Sequence, residues 1–221
     1  MGNDAERIVR ALQDADVAGA EYFGRFVNDT RYLTASPFDE QAAIPTLLDL
    51  LPSISDSRDL EAAVRYLGRA SARPAAFEPL HQVFLSRAAQ DQSLGRSVGD
   101  SIATTATLSN IDSLLEIATD RKFGTARQMI VYSLWRFKKD GRVKDALLDL
   151  IHDPDVSRHA MSALRRTVGN EDAIKHFKVV RDTSNIQTVR KQAQQAISKS
   201  ESAMAKSGQH RGHHGLASRN S

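Results

Sequence analysis

Apolar residues return along this chain in a register that repeats about every 33 positions. Leu67, Ile102, Leu134, Leu164 and Ile197 follow one another at spacings of 35, 32, 30 and 33, and Ala63, Val98, Ile130, Ala160 and Ala193, each four residues earlier, keep the same spacings. A third row, eight residues before the first, holds Leu94, Ala126, Val156 and Val189; it is broken only at Asp59, where Leu60 stands next door. Positions four and eight apart share one face of an α-helix. Each triplet is therefore the buried stripe of a helix, and its recurrence predicts helix pairs stacked side by side around a continuous core. Such stacks present surfaces, not pockets. The fold class that follows is all-α: a right-handed α-solenoid of about five helix pairs over 37–205. A helical cap over 1–36 precedes it, and a polar tail over 206–221, expected to be disordered, follows.

Turn signals divide the stripes into pairs. The first predicted pair covers 40–51 and 60–70, joined by a turn over 52–57. In the second, Pro74 is expected to occupy the first turn of a helix carrying Phe77, Leu80, Val83 and Phe84, because proline's missing N–H costs nothing there; its partner spans 93–104. The third pair is 111–119, capped by Asn110 or Asp112, and 125–137. The fourth is 143–151 and 156–167, with Pro154 ending one helix and Asp155 capping the next. The fifth opens at Asn170 or Asp172, runs to Val180, and continues over 186–200. Before the repeats, Tyr22, Phe23, Phe26 and Tyr32 are dense, as suits a cap on the open end of an apolar core.

The segment Ala146-Leu147-Leu148-Asp149-Leu150-Ile151-His152-Asp153-Pro154-Asp155-Val156, followed by Arg158, Ala160 and Leu164, resembles the HEAT-repeat family, and Leu47-Leu48-Asp49-Leu50-Leu51 echoes its start. The resemblance spans roughly 40–200. More narrowly, Arg121-Lys122-Phe123-Gly124-Thr125-Ala126-Arg127-Gln128-Met129 looks like a segment of small bacterial HEAT proteins with no assigned activity. It implies a helix-pair fold and a binding role, and no chemistry. Iron-containing hydroxylases on HEAT-like scaffolds use His-Glu dipeptides; here the residues after the histidines are Gln, Asp, Ala, Phe, Arg, His and Gly.

Charge changes this picture. Residues 1–120 hold 10 Lys+Arg against 18 Asp+Glu, a net of −8, whereas residues 121–221 hold 20 against 9, a net of +11. A repeat array keeps sequence order as spatial order, so an acidic and a basic end are expected. With no cysteine there is no disulfide framework or thiol nucleophile, which fits a reducing cytoplasm. Charged residues interrupt the first seventeen positions, so neither a secretory leader nor a membrane span is expected and the protein should be soluble.

Placing the stripe residues inward at 100° per residue turns other positions outward: Gln128, Tyr132, Trp135 and Arg136 in the third repeat, and Arg158, Ser162, Arg165 and Arg166 in the fourth. The chain's only tryptophan beside a tyrosine and several arginines, Arg127 included, has the composition of an interaction hot spot. Two roles fit Trp135: packing against a neighbouring helix, or anchoring a partner. Basic residues recur in two rows, Arg69, Arg136, Arg166 and Lys199 in one, Arg96, Arg127, Arg158, Arg190 and Lys191 in the other. Such rows suit an acidic protein face or a phosphate backbone, or else serve turn acids and helix ends. No Gly-rich phosphate loop, serine elbow or paired carboxylate is present, and His152 with His159, or the histidines of the tail, make no persuasive metal site. Neither cofactor nor metal is expected. The leading reading is a non-catalytic scaffold or adaptor, with toxin neutralisation as one version, whose protein partner carries an acidic surface. The alternative is a nucleic-acid-binding protein, including a DNA glycosylase-like enzyme for which Asp100 would be the lone outward acid.

Overall fold

The three apolar rows are the core. In a computed structural model of the chain, which describes residues 3–24 and 38–214, every residue of the first two rows is buried, and so are Leu94, Ala126, Val156 and Val189 of the third. At the one break, Leu60 fills the buried place, while Asp59 is half-buried with its Oδ2 lacking a hydrogen-bond partner. A shift of one residue turns the side chain by about 100°, enough to exchange leucine for aspartate on the inner face.

The described residues form eleven α-helices and contain no strand. After α1 (Asn3–Asp14), the pairs are α2 (Ile44–Leu50) with α3 (Ser57–Leu67), and α4 (Phe77–Arg87) with α5 (Gln92–Thr105). The third joins α6 (Ile111–Thr119) to a run of 3-10 turn (Arg121–Arg127), α7 (Gln128–Ser133) and 3-10 turn (Leu134–Phe137). The last two are α8 (Gly141–Leu150) with α9 (Ser157–Val168), and α10 (Asn170–Thr183) with α11 (Gln187–His214). Aspartates start several of them. Asp56 accepts from the Arg58 and Asp59 N–H groups, Asp91 from Ser93 and Leu94, and Asp140 from Arg142, so first-turn donors with no partner inside the helix are satisfied.

Local chemistry moves several predicted boundaries. Pro74 does not start α4; the helix begins at Phe77, and Pro79 is the proline in its first turn. Asp155 does not cap α9. Its own N–H donates to Oδ1 of Asp153, which is buried and whose carbonyl receives the Val156 and Ser157 N–H groups. Asn110 does not cap α6 itself: it is the last residue of the 3-10 turn Leu108–Asn110, whose N-cap is Thr107, and its Oδ1 accepts from the Thr107 N–H and hydroxyl. The expected continuous helix over 125–137 is instead 3-10 at both ends of α7, after a turn at Gly124 with φ +48°. The last helix runs to His214, past the expected start of the tail at 206. Phe26 and Tyr32 lie outside the described residues.

The fold is all-α, of the α-solenoid class built from HEAT-like pairs, and its chain divides into two units: 1–112 with 120–130, and 113–119 with 131–221. In the first unit α3 packs on α5, and α5 on the turn Arg121–Arg127. Ser101 Oγ donates to the Val64 carbonyl at 3.0 Å and Ser97 Oγ to Glu61 at 2.8 Å, so neighbouring second helices are tied by hydrogen bonds as well as by apolar contact. Helix α1 buries Ile8 and Leu12 and contacts α2, while Phe23, Phe38 and Tyr66 form an aromatic cluster with centroids 4.9–6.4 Å apart. In the second unit α9 contacts α8, α10 and α11, and a hydrogen bond between Ser157 Oγ and Gln192 Oε1 sets the first turn of α9 beside the second turn of α11.

Candidate partner-binding surface

Tyr132 and Trp135 are three residues apart where α7 gives way to a 3-10 turn. A three-residue turn eclipses positions i and i+3, so the two rings share one side of the chain. Arg166, in the last turn of α9, lies over both: its guanidinium carbon is 5.4 Å from the Tyr132 ring centroid and 4.8 Å from that of Trp135. These are cation–π distances. Tyr132 and Trp135 are half-buried and Arg166 is exposed, so one side of the cluster packs and the other faces solvent. Trp135 is therefore neither a fully buried packing residue nor a fully exposed one. Arg136 is exposed, with its guanidinium 5.3 Å from the buried Phe137 ring.

On α9, Arg165 is half-buried and Arg158 exposed. Eight residues of helix separate Arg158 from Arg166, about 12 Å along the axis, so the basic group extends over the length of α9. Arg165 and Arg166 meet the negative end of that helix, a favourable interaction that leaves their N–H donors available.

Arg127 does not belong to this surface. Its side chain has no solvent exposure, and its Nε donates to the Gly124 carbonyl at 3.0 Å. A buried charge requires compensation, and part of it comes from Asp120, whose carboxyl is held below its ordinary range chiefly by the Lys122 ammonium and further by Arg127. The surrounding segment is structural throughout. Phe123 packs on Phe84 at 4.9 Å, and Thr125 Oγ1 and Ala126 N–H donate to Gln92 Oε1. Ala126 sits so close to Gly95 and Gly99 that an added Cβ would fall 2.8 Å from the Ala126 methyl and 2.6 Å from its carbonyl oxygen, respectively. Gln128, half-buried, belongs to the first unit with Arg127. The expectation failed at Arg127 because it was grouped with the outward arginines by residue type, whereas it lies seven residues before the buried Leu134, a spacing that shares the leucine's face.

The two basic rows separate into different roles. Arg69 is paired with Glu40 at 2.7 Å, and Arg96 reaches Thr125 at 3.5 Å. Arg158, Arg190, Lys191 and Lys199 are exposed. His152 is exposed; His159 is half-buried, and burial, with a smaller contribution from Arg158, pushes its pKa down. No group of three His, Asp or Glu side chains that could hold a metal ion occurs among the described residues. The side chains of the tail histidines lie outside them. Asp100 is exposed on α5. No helix among the described residues is long and apolar enough to cross a membrane.

Helices paired in register around recurring buried apolar rows define a helix-pair repeat protein. A family model of HEAT repeats matches residues 111–198, the stretch that carries Tyr132, Trp135, Arg136, Arg158, Arg165 and Arg166, so these residues lie on repeats of the HEAT type. Repeats of this kind generally serve as protein-interaction scaffolds. No curated protein and no solved structure matches the chain significantly.

Proposed function

We propose that this chain is a non-catalytic protein-binding scaffold, and that its docking surface in the second unit is centred on Tyr132, Trp135 and Arg166 and extended by Arg136, Arg158 and Arg165. The observation that carries this reading is the position of Arg166 over both rings. Aromatic and arginine side chains that are partly buried before binding lose less entropy on binding, and they are the residue types that dominate interface energetics. The cations select a partner whose contacting surface is acidic.

The test is capture of protein partners from native extract by the wild type and by a Trp135→Ala, Arg166→Ala variant whose helicity is checked by circular dichroism. A specific partner retained by the wild type and lost by the folded variant is the expected result. Unchanged capture by the folded variant places the functional face elsewhere. A captured fraction that nuclease treatment removes would support the nucleic-acid reading in its place.

A further inference from the structure

Away from the aromatic cluster, the end of α10 and the start of α11 form a shallow, solvent-open depression of about 680 Å³ lined by the half-buried Arg181 and the exposed Gln187, Thr188, Arg190, Lys191 and Gln194. The lining contains three cations, two amides and a hydroxyl, with no carboxylate and no aromatic ring. Its charge is unevenly compensated. Asp182 binds Arg181 through two contacts, Nε to Oδ1 at 2.6 Å and Nη2 to Oδ2 at 3.0 Å, which orients that guanidinium and neutralises it. Arg190 is anchored only through Nη1, which donates to the Ser184 carbonyl at 2.9 Å, leaving its other N–H groups unused, and no carboxylate pairs with Arg190 or Lys191 among the described residues. Two uncompensated positive charges remain in one pocket. A dianion matches them, and a fixed guanidinium beside an ammonium suits the oxygens of a terminal phosphate.

The remaining lining narrows the rest of the ligand. Gln187 and Thr188 offer hydrogen-bond donors and acceptors, Gln194 does so from contacts of 3.5 Å with Arg181 Nη1 and Ser198 Oγ, and no aromatic ring lines the pocket to stack on a nucleobase. We infer that this pocket binds a small phosphorylated, hydroxyl-bearing molecule, with Arg190 and Lys191 on the phosphate and Gln187, Thr188 and Gln194 on the hydroxyl groups. This inference does not depend on the aromatic surface or on its partner.

Titration calorimetry at low salt tests it, with glucose 6-phosphate, inorganic phosphate and glucose as probes against the full chain. Saturable one-site binding of glucose 6-phosphate, weaker binding of phosphate and none of glucose are expected. Arg190→Gln with Lys191→Gln should weaken binding at least about tenfold, since one hydrogen bond to a charged group is worth that factor. The single Lys191→Gln variant, at an exposed side chain, keeps the test valid if the double variant proves unstable. Absence of saturable binding by both phosphate-bearing probes, or equal affinity in wild type and variants, overturns the site. Equal affinity for phosphate and glucose 6-phosphate overturns hydroxyl recognition. Tighter binding of a single-stranded oligonucleotide, rising with its length, would overturn a compact ligand in favour of a nucleic-acid strand.

Discussion

Asp4 accepts four hydrogen bonds. Its Oδ2 accepts from the Ser55 N–H, the Ser55 hydroxyl and the Asp56 N–H, all within 2.9 Å, and its Oδ1 from Arg7 at 2.8 Å, which ties α1 to the turn before α3. The Asp56 N–H first, and then Arg7 and Ser55, hold this carboxyl well below the usual carboxylate range. Between that lowered value and the unfolded pKa of about 3.9 the folded chain binds fewer protons than the unfolded one, so stability is present above this window and lost as pH falls through it. Asp4→Asn should lower the melting temperature at pH 7 and flatten its decline between about pH 4 and pH 2; a decline as steep as in wild type would show that Asp4 is not its source. His159 acts in a higher window. Its pKa is pushed below the ordinary 6.5 by burial and then by Arg158, so the fold favours the neutral ring, and stability is lost as pH falls below 6.5. Thermal melts from pH 7.5 to pH 5 should show that His159→Gln is less acid-sensitive than wild type. At Trp135, half-buried under Arg166, truncation to alanine should cost about 1–2 kcal/mol, below the roughly 3–5 kcal/mol of a fully buried tryptophan. Chemical denaturation measures this, and a loss of the larger size would identify Trp135 as a core residue instead of an anchor.

At the scale of elements, α5 shows how packing overrides propensity. Alanine normally stabilises a helix relative to glycine by about 0.5–1 kcal/mol, yet a Cβ at Gly99 would lie 2.6 Å from the Ala126 carbonyl oxygen, a backbone atom that yields only by moving the 3-10 turn. Gly99→Ala should therefore destabilise by about 1–3 kcal/mol. Gly141→Ala, where the added Cβ meets nothing within 4 Å, should be neutral or mildly stabilising; the same sign of effect at both positions would contradict the close approach. The helices themselves were legible because burial of Leu67, Ile102, Leu134, Leu164 and Ile197 requires apolar side chains at fixed spacing, whatever the outward positions carry. The turn Arg121–Arg127 was not legible. Its course depends on a long-range acceptor, Gln92 Oε1, and on a positive φ at Gly124, neither of which leaves a periodic trace. Arg127 and Arg158 occupy neighbouring register positions in successive repeats, yet one is buried and the other exposed. For the same reason the candidate surface could be read only to its residue types. Arg166 lies two residues beyond Leu164 in the periodic pattern, and only tertiary structure sets it over Tyr132 and Trp135.

Across the whole molecule, two features follow from repetition along the chain. One is the separation of charge, −8 over residues 1–120 and +11 over residues 121–221. Exposed charges act over about 8–10 Å at physiological ionic strength, so partner capture through Arg136, Arg158 and Arg166 should weaken as salt is raised. Capture that is indifferent to salt would assign the affinity to the aromatic rings alone. The other is how a local perturbation spreads. Repeats draw their stability mainly from contacts with immediate neighbours, so stability approximates a sum of local terms. Gly99→Ala perturbs α5 and the turn Arg121–Arg127, both in the first unit, whereas α10 and α11 pack on each other and on α9 in the second. The cost of the substitution should accordingly appear as faster amide exchange in α4, α5 and residues 121–127, with α10 and α11 left at their wild-type protection. Hydrogen-exchange mass spectrometry of wild type and variant resolves these segments. An equal loss of protection in all of them would mean that the chain unfolds as one cooperative body, so that neither the repeat nor its nearest neighbours set the stability of any one helix.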